Sequence, residues 1–271
     1  HAGPERFVWD YWNIEGQYSL LRTPAARFFT SPLLKAFYEK LLHFGREKLG
    51  CAGISPPWVS YYIDGCYQGF HADVPHGPWA YVYSLTPWRA RKFTGGETVL
   101  LQPGVLDYWN ELEPGRDVER DEIELRVPPE FNRLTVFDPR IPHRVERVSG
   151  VRDPLLARVV IHGWFTEPQP FIEGGLSRSQ FKMGVKPLLN RVAGLSSGPA
   201  RGVHGTLCVR FGVSPAGKPG AVHVLTENLR GGSADAGARQ LILEQVAGSI
   251  GELRFPPARR ATRVTLPLQF R

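Results

Sequence analysis

Between Trp58 and Trp164 the chain is built of short apolar runs broken by glycine and proline, the texture of strands and turns. Within it stands His71-Ala-Asp73, an imidazole and a carboxylate two positions apart. On a strand, residues i and i+2 share a face, so both side chains can reach one metal ion. A third donor is offered by Leu134-Thr-Val-Phe-Asp-Pro-Arg-Ile-Pro-His143, where an apolar strand runs into a proline-bounded turn that presents His143. An H-x-D pair recurs in ordinary surface loops, so the surroundings have to carry the reading.

Two histidines and one carboxylate make the facial donor set of non-haem Fe(II) sites, which leaves positions on the metal for other ligands. The short strands predict a jelly roll, or double-stranded β-helix, whose open mouth suits such a site. Ahead of it, Ser31 to Gly45 reads as a helix, with apolar residues at 33, 34, 37, 38, 41 and 42 and Gly45 ending the pattern. The acid-rich stretch 102–130 reads as an insertion or lid-like loop. Trp58, Trp79, Trp88, Tyr108 and Trp109 are mostly core or insertion packing, with two expected at the mouth as a rim for a peptide or ring-containing substrate. His76 is either a further ligand, a substrate contact or a bystander.

No apolar run approaches bilayer-spanning length, so no membrane span is expected. Cys51, Cys66 and Cys208 form no C-x-x-C and no disulfide framework, which fits a reducing, cytoplasmic compartment. A start at His rather than Met leaves a trimmed leader open. Charge is divided unevenly: residues 1–170 hold 19 Lys+Arg against 21 Asp+Glu, and residues 171–271 hold 14 against 5, or +9. A basic C-terminal third is either a solubilising surface or a site for an anionic partner.

The motifs, in order, resemble those of the prolyl-hydroxylase-like branch of the 2-oxoglutarate/Fe(II) dioxygenases. Tyr62-Ile-Asp-Gly65 precedes His71-Ala-Asp73; Tyr83-Ser-Leu-Thr86 and Thr94-Gly-Gly-Glu-Thr98 follow. Arg133-Leu-Thr-Val-Phe137 leads to Pro142-His143, and Arg158-Val-Val-Ile-His-Gly-Trp-Phe165 closes the series. The resemblance covers roughly residues 55–166. It implies metal ligands His71, Asp73 and His143, with Fe(II), 2-oxoglutarate and O2 as cofactor and co-substrates and ascorbate as a supporting reductant.

The distal carboxylate of 2-oxoglutarate needs a fixed cation, and a guanidinium matches it with a planar fork that stays charged. Arg158 is the candidate, with Arg152 in the preceding turn as its rival. The resemblance gives Tyr62 a hydrogen bond to the co-substrate. It places Ser84 where relatives often carry a second tyrosine. On strand alternation His162 and Trp164 share Arg158's face and line the pocket, although His162 also reads as a satisfied core histidine. Asp73 stands where a halogenase needs a vacancy, so hydroxylation is favoured.

Beyond Pro170 the composition shifts. Residues 171–200 read as a basic, glycine-containing linker, and 201–271 as a strand, strand, helix, strand module. This last part, with Arg254-Phe-Pro-Pro257 and the terminal Leu268-Gln-Phe270, resembles the C-terminal domain of TonB-like proteins. The expected architecture is therefore α+β: an oxygenase domain over 1–170, a linker, and a small β-β-α-β domain. The expected activity is hydroxylation of a peptide or protein side chain with release of succinate and CO2. The alternatives are a small-metabolite hydroxylase, and a catalytically weak binding protein that docks a protein or anionic partner through its basic module.

Overall fold

The computed structural model describes residues 10–74, 76–105, 115, 120–231 and 236–270. Tyr108, Trp109 and most of the acidic run in the 102–130 stretch lie outside the described residues. The chain forms two compact units, one of residues 1–40 and 54–166, the other of 41–53 and 167–271.

The strands through residue 168 are β1 (Asp10–Ile14), β2 (Tyr18–Pro24), β3 (Cys51–Ile54), β4 (Trp58–Tyr62), β5 (Tyr67–His71) and β6 (Trp79–Ser84). They continue with β7 (Thr98–Leu101), β8 (Glu124–Val127), β9 (Leu134–Phe137), β10 (His143–Val145) and β11 (Arg158–Pro168). In the first unit the order β8-β7-β10-β5-β2-β4-β11-β6-β9, with β1 on β2, makes an antiparallel sheet that curls into a jelly-roll core. β11 is an interior strand between β4 and β6, with Val159, Val160 and Ile161 all buried. One face packs in a cluster with Ala25, Phe28, Leu34 and Phe37. The other, alternating as Arg158, Val160, His162 and Trp164, faces a cavity.

The Ser31–Phe44 helix departs from expectation at its end. It runs on through a π-helical turn, Gly45–Leu49, and stops at Gly50, which takes the left-handed conformation at φ 69°. A Cβ on Gly50 would lie 2.9 Å from Pro267, so the stop is set by close approach as well as by φ.

The second unit corrects the linker reading. Residues 171–200 hold β12 (Phe171–Glu173) and a helix, Arg178–Ser197, opened by a capping box between Ser177 and Gln180. β13 (Gly205–Val213), β14 (Pro219–Glu227) and β15 (Thr262–Phe270) complete an antiparallel sheet in the order β12-β15-β13-β14. The strand, strand, helix, strand order over 201–271 is present, with its helix at Ala236–Glu252. Phe181, Val185, Leu188, Val192 and Leu195 recur at three- and four-residue spacing and are buried in one core with Leu207, Ile242, Ile250 and Leu268. Gly184, Pro187 and Gly194 mask that stripe in the sequence. Residues 41–53 also belong to this unit: Glu47 pairs with Arg210 at 3.1 Å and with Arg263 at 3.3 Å. Part of the C-terminal basic excess is thus neutralised within the unit. Among the described residues no helix is long and apolar enough to cross a membrane.

Gly184 is retained for close packing. A Cβ there would sit 2.4 Å from the Phe255 ring, which stacks on Phe181 at 6.0 Å. Gly194 faces open space. Gly194→Ala is expected to stabilise the protein by up to about 1 kcal/mol. Gly184→Ala is expected to destabilise it by about 1–3 kcal/mol through overpacking. Urea unfolding of both variants checks the opposite signs.

Candidate metal centre and its pocket

Antiparallel pairing of β5 with β10 sets His71 directly opposite His143, ring centroids 4.2 Å apart. Asp73 lies just past the end of β5 rather than on it. Its backbone N–H donates to Pro139 O at 2.9 Å, which ties it to the turn that leads into His143. Asp73 Oδ1 is 3.6 Å from His71 Nε2, and Oδ2 is 3.4 Å from His143 Nε2. The three donor atoms all lie within 4.8 Å of one another.

The tautomers are fixed by backbone. His71 Nδ1 meets Gly69 O at 2.9 Å, and His143 Nδ1 meets Ile141 O at 2.9 Å. A carbonyl only accepts, so both Nδ1 atoms carry a proton and both Nε2 atoms are left as the donors for a metal, the one on His71 now accepting from Gln68 Nε2 at 3.0 Å. Burial, then the neighbouring His143, pushes the His71 pKa down. Burial alone would push the Asp73 carboxyl up, but the neighbouring imidazoles, His143 first, then His71 and His162, outweigh it and hold it below its usual range. Neutral imidazole and ionised carboxylate are the forms a divalent cation requires. The donor set fits an Fe(II)-type site.

Arg158, Tyr62, His162 and Trp164 line the cavity over these three residues, together with Arg22, Gln68 and Thr98. Arg158 is 1% exposed; its Nε donates to Gly96 O at 2.6 Å and its Nη2 to Thr98 Oγ1 at 3.0 Å. Its Nη1 is buried with no partner among the described residues. Its guanidinium carbon lies 4.5 Å from the centroid of the Tyr62 ring. The Gly95-Gly96 turn permits this cradle: both glycines have positive φ, and a Cβ on Gly96 would press on Arg158 Cδ at 3.2 Å. Tyr62 donates its hydroxyl to Gln68 Oε1 at 3.2 Å. His162 Nε2 meets Ser60 Oγ at 2.8 Å, and burial, with the charge of Arg22 next, pushes its pKa down to about 3. Trp164 Nε1 is buried with no partner among the described residues.

Two expected residues stand elsewhere. Ser84 pairs with Val160 across the sheet but spends its hydroxyl on Pro129 O at 2.6 Å and does not line the cavity. Arg152 is 89% exposed beside Asp64, so it is no rival to Arg158. His76 packs its ring against Trp164, centroids 4.4 Å apart and planes tilted by 32°. Gln68 was hidden by parity. Gln68 pairs with Val145 and His71 with His143, and this shift in register is a β-bulge that turns residues three apart toward one site. Thr98 ends the Thr94–Thr98 motif that the sequence displays, but its contact with Arg158 emerges only in the fold.

Residues 57–166 match the family model described as 2OG-Fe(II) oxygenase superfamily. No curated protein matches the chain. Among solved structures it is similar to a Pseudomonas putida prolyl-4-hydroxylase, with 18% identity over 59% of this chain and 78% of that one and a TM-score of 0.39. It is also similar to a Trichoplax adhaerens prolyl hydroxylase in complex with a hypoxia inducible factor oxygen degradation domain peptide fragment (17% identity, 59% and 71%, TM-score 0.41). A third is SnoN, a non-haem alpha-ketoglutarate-dependent epimerase from nogalamycin biosynthesis (11% identity, 58% and 66%, TM-score 0.37). These likenesses are too distant to carry an inference.

Two outcomes are expected. His71→Ala, Asp73→Ala and His143→Ala each weaken Mn(II) binding, measured by titration calorimetry, by more than the roughly 10–100-fold that loss of an outer-shell partner costs. The second concerns acid. His162 titrates near 3 when folded and near the ordinary histidine value when unfolded, so the unfolded chain takes up this proton first as pH falls. Its contribution to stability is intact above about pH 6.5 and drains away toward pH 3. Between pH 7 and pH 5 the wild type should therefore lose about 1–2 kcal/mol more than His162→Gln in urea unfolding.

Proposed function

We propose that the protein is an Fe(II)- and 2-oxoglutarate-dependent hydroxylase acting on a peptide or protein side chain. The observation that carries this reading is Arg158: a buried guanidinium with a free donor, in the same cavity as His71, Asp73 and His143. A cation buried without a counter-ion is costly, and a carboxylate arriving beside it recovers that cost. A 2-oxoglutarate whose keto-acid end reaches the metal would set its distal carboxylate against Arg158. His71, Asp73 and His143 would hold the Fe(II). With 2-oxoglutarate and O2 the metal supplies the oxidising chemistry, which converts C–H to C–OH and yields succinate and CO2.

The chain's own residues bind, orient and keep dry. Tyr62 would turn its one hydroxyl proton from Gln68 Oε1 to the co-substrate, which only accepts. Thr98 takes the supporting place first assigned to Ser84, since it both touches Arg158 and lines the cavity. His162, neutral across the working pH range, adds no charge to compete with Arg158. Trp164 walls the pocket and offers its indole N–H inward. The buried free thiols of Cys51, Cys66 and Cys208 fit a reducing, cytoplasmic setting. The second unit contributes none of the pocket residues named above.

Arg158→Leu should weaken 2-oxoglutarate binding by about 3–5 kcal/mol, or two to three and a half orders of magnitude. Arg152→Leu should leave it unchanged. Titration calorimetry of the Mn(II)-loaded protein, with succinate release on adding Fe(II), ascorbate and 2-oxoglutarate, tests both. Equal losses in the two variants would remove the assignment.

A further inference from the structure

The cavity holds a second arginine that the reading above does not use. Arg22 is on β2, where it pairs with Ser60 of β4, which pairs in turn with Val160 of β11. It thus shares the inward row of the sheet with the residues that line the pocket. Two indoles hold its guanidinium, at 4.1 Å from the Trp58 ring centroid and 5.0 Å from that of Trp12. Its Nε is buried with no partner among the described residues. Asp10 is its cross-strand neighbour on β1, yet no ion pair joins them. Burial pulls the Arg22 pKa down, opposed first by Tyr62 and then by Asp73, which shows how near its charge stands to the site. Contact with two indoles whose planes stand at 68° to each other holds the guanidinium in place without using its N–H donors.

Counting charge shows what the fork is for. A divalent metal, Asp73, a dianionic co-substrate and Arg158 together cancel, with His162 neutral. Arg22 leaves the loaded pocket one positive charge in excess. A carboxylate, a monoanion whose two oxygens match the guanidinium fork, closes that balance; a phosphate dianion overshoots it. Accordingly, and resting on the reading of Proposed function, we infer that the prime substrate is a carboxylate-bearing molecule whose acid group is gripped by Arg22. That carboxylate comes either from an acidic side chain in a peptide or from a main-chain terminus.

The test uses the full chain loaded with Mn(II) and saturating 2-oxoglutarate, with binding followed by calorimetry and by the fluorescence of the indoles beside Arg22. The probes are N-acetyl-leucine (a main-chain acid), N-acetyl-glutamate amide (a side-chain acid) and the neutral N-acetyl-leucinamide. At least one acid should bind roughly ten- to a hundredfold tighter than the neutral amide, and which one does identifies the source of the carboxylate. Arg22→Gln should erase that preference and Arg22→Lys retain part of it, while both bind 2-oxoglutarate like the wild type. Equal binding of acids and amide, or a preference that survives Arg22→Gln, overturns the inference. So does a loss of 2-oxoglutarate affinity in Arg22→Gln, which would give Arg22 to the co-substrate. A wild type that takes up no 2-oxoglutarate before any probe is added sinks the proposed function instead. The acid preference is then read on the Mn(II) protein alone, where Arg158→Leu should keep it and Arg22→Gln lose it.

Discussion

Burying the Arg158 guanidinium is the constraint on which the rest of the first unit depends. A charge at 1% exposure is tolerated only where its donors are met or where a ligand will meet them. Two are met locally, by Gly96 O and Thr98 Oγ1, and the ring of Tyr62 covers the guanidinium face. Each partner has its own requirement. Gly96 must adopt positive φ, Thr98 must open β7, and Tyr62 must stand opposite Arg158 in the β4–β11 pairing. The fold therefore meets Nε and Nη2 of this cavity-lining cation with neutral groups and leaves Nη1 without a partner among the described residues.

The metal donors are arranged by similar economy. One cross-strand pair brings the two histidines together, and one backbone hydrogen bond from Asp73 to Pro139 draws in the carboxylate. The turn between β9 and β10 is held by Asp138, which is 4% exposed and accepts from Arg140 Nη2 at 2.6 Å. Backbone carbonyls then choose both imidazole tautomers. Donor groups set by strands and turns in this way are rigid before any ligand arrives, which is what a site needs to control geometry.

Much of this was legible in the sequence because it is local. His71 and Asp73 are two residues apart, the Gly-Gly turn needs glycine for its backbone, and the alternation from Arg158 to Trp164 reports a strand directly. The jelly-roll core follows from short strands with frequent breakers. The helix at Arg178–Ser197 was hidden because glycine, proline and basic residues dilute a stripe that becomes apolar only against its partner strands. Gly184 looks like a helix breaker in the sequence and is a packing requirement in the fold.

Donor types, strand periodicity and turn chemistry were thus determined by the sequence alone, since each depends on neighbours a few positions away. Tertiary structure decided what depends on register and on distance through space. A β-bulge brought Gln68 round to His71, Pro129 took the Ser84 hydroxyl out of the pocket, and Thr98 moved onto Arg158. The pairing of β2 with β4 carried Arg22 into a cavity whose other residues begin at Tyr62. No periodicity encodes such meetings, because they are fixed by which strands pair and at what offset, and a shift of one residue would turn each of these side chains to the opposite face.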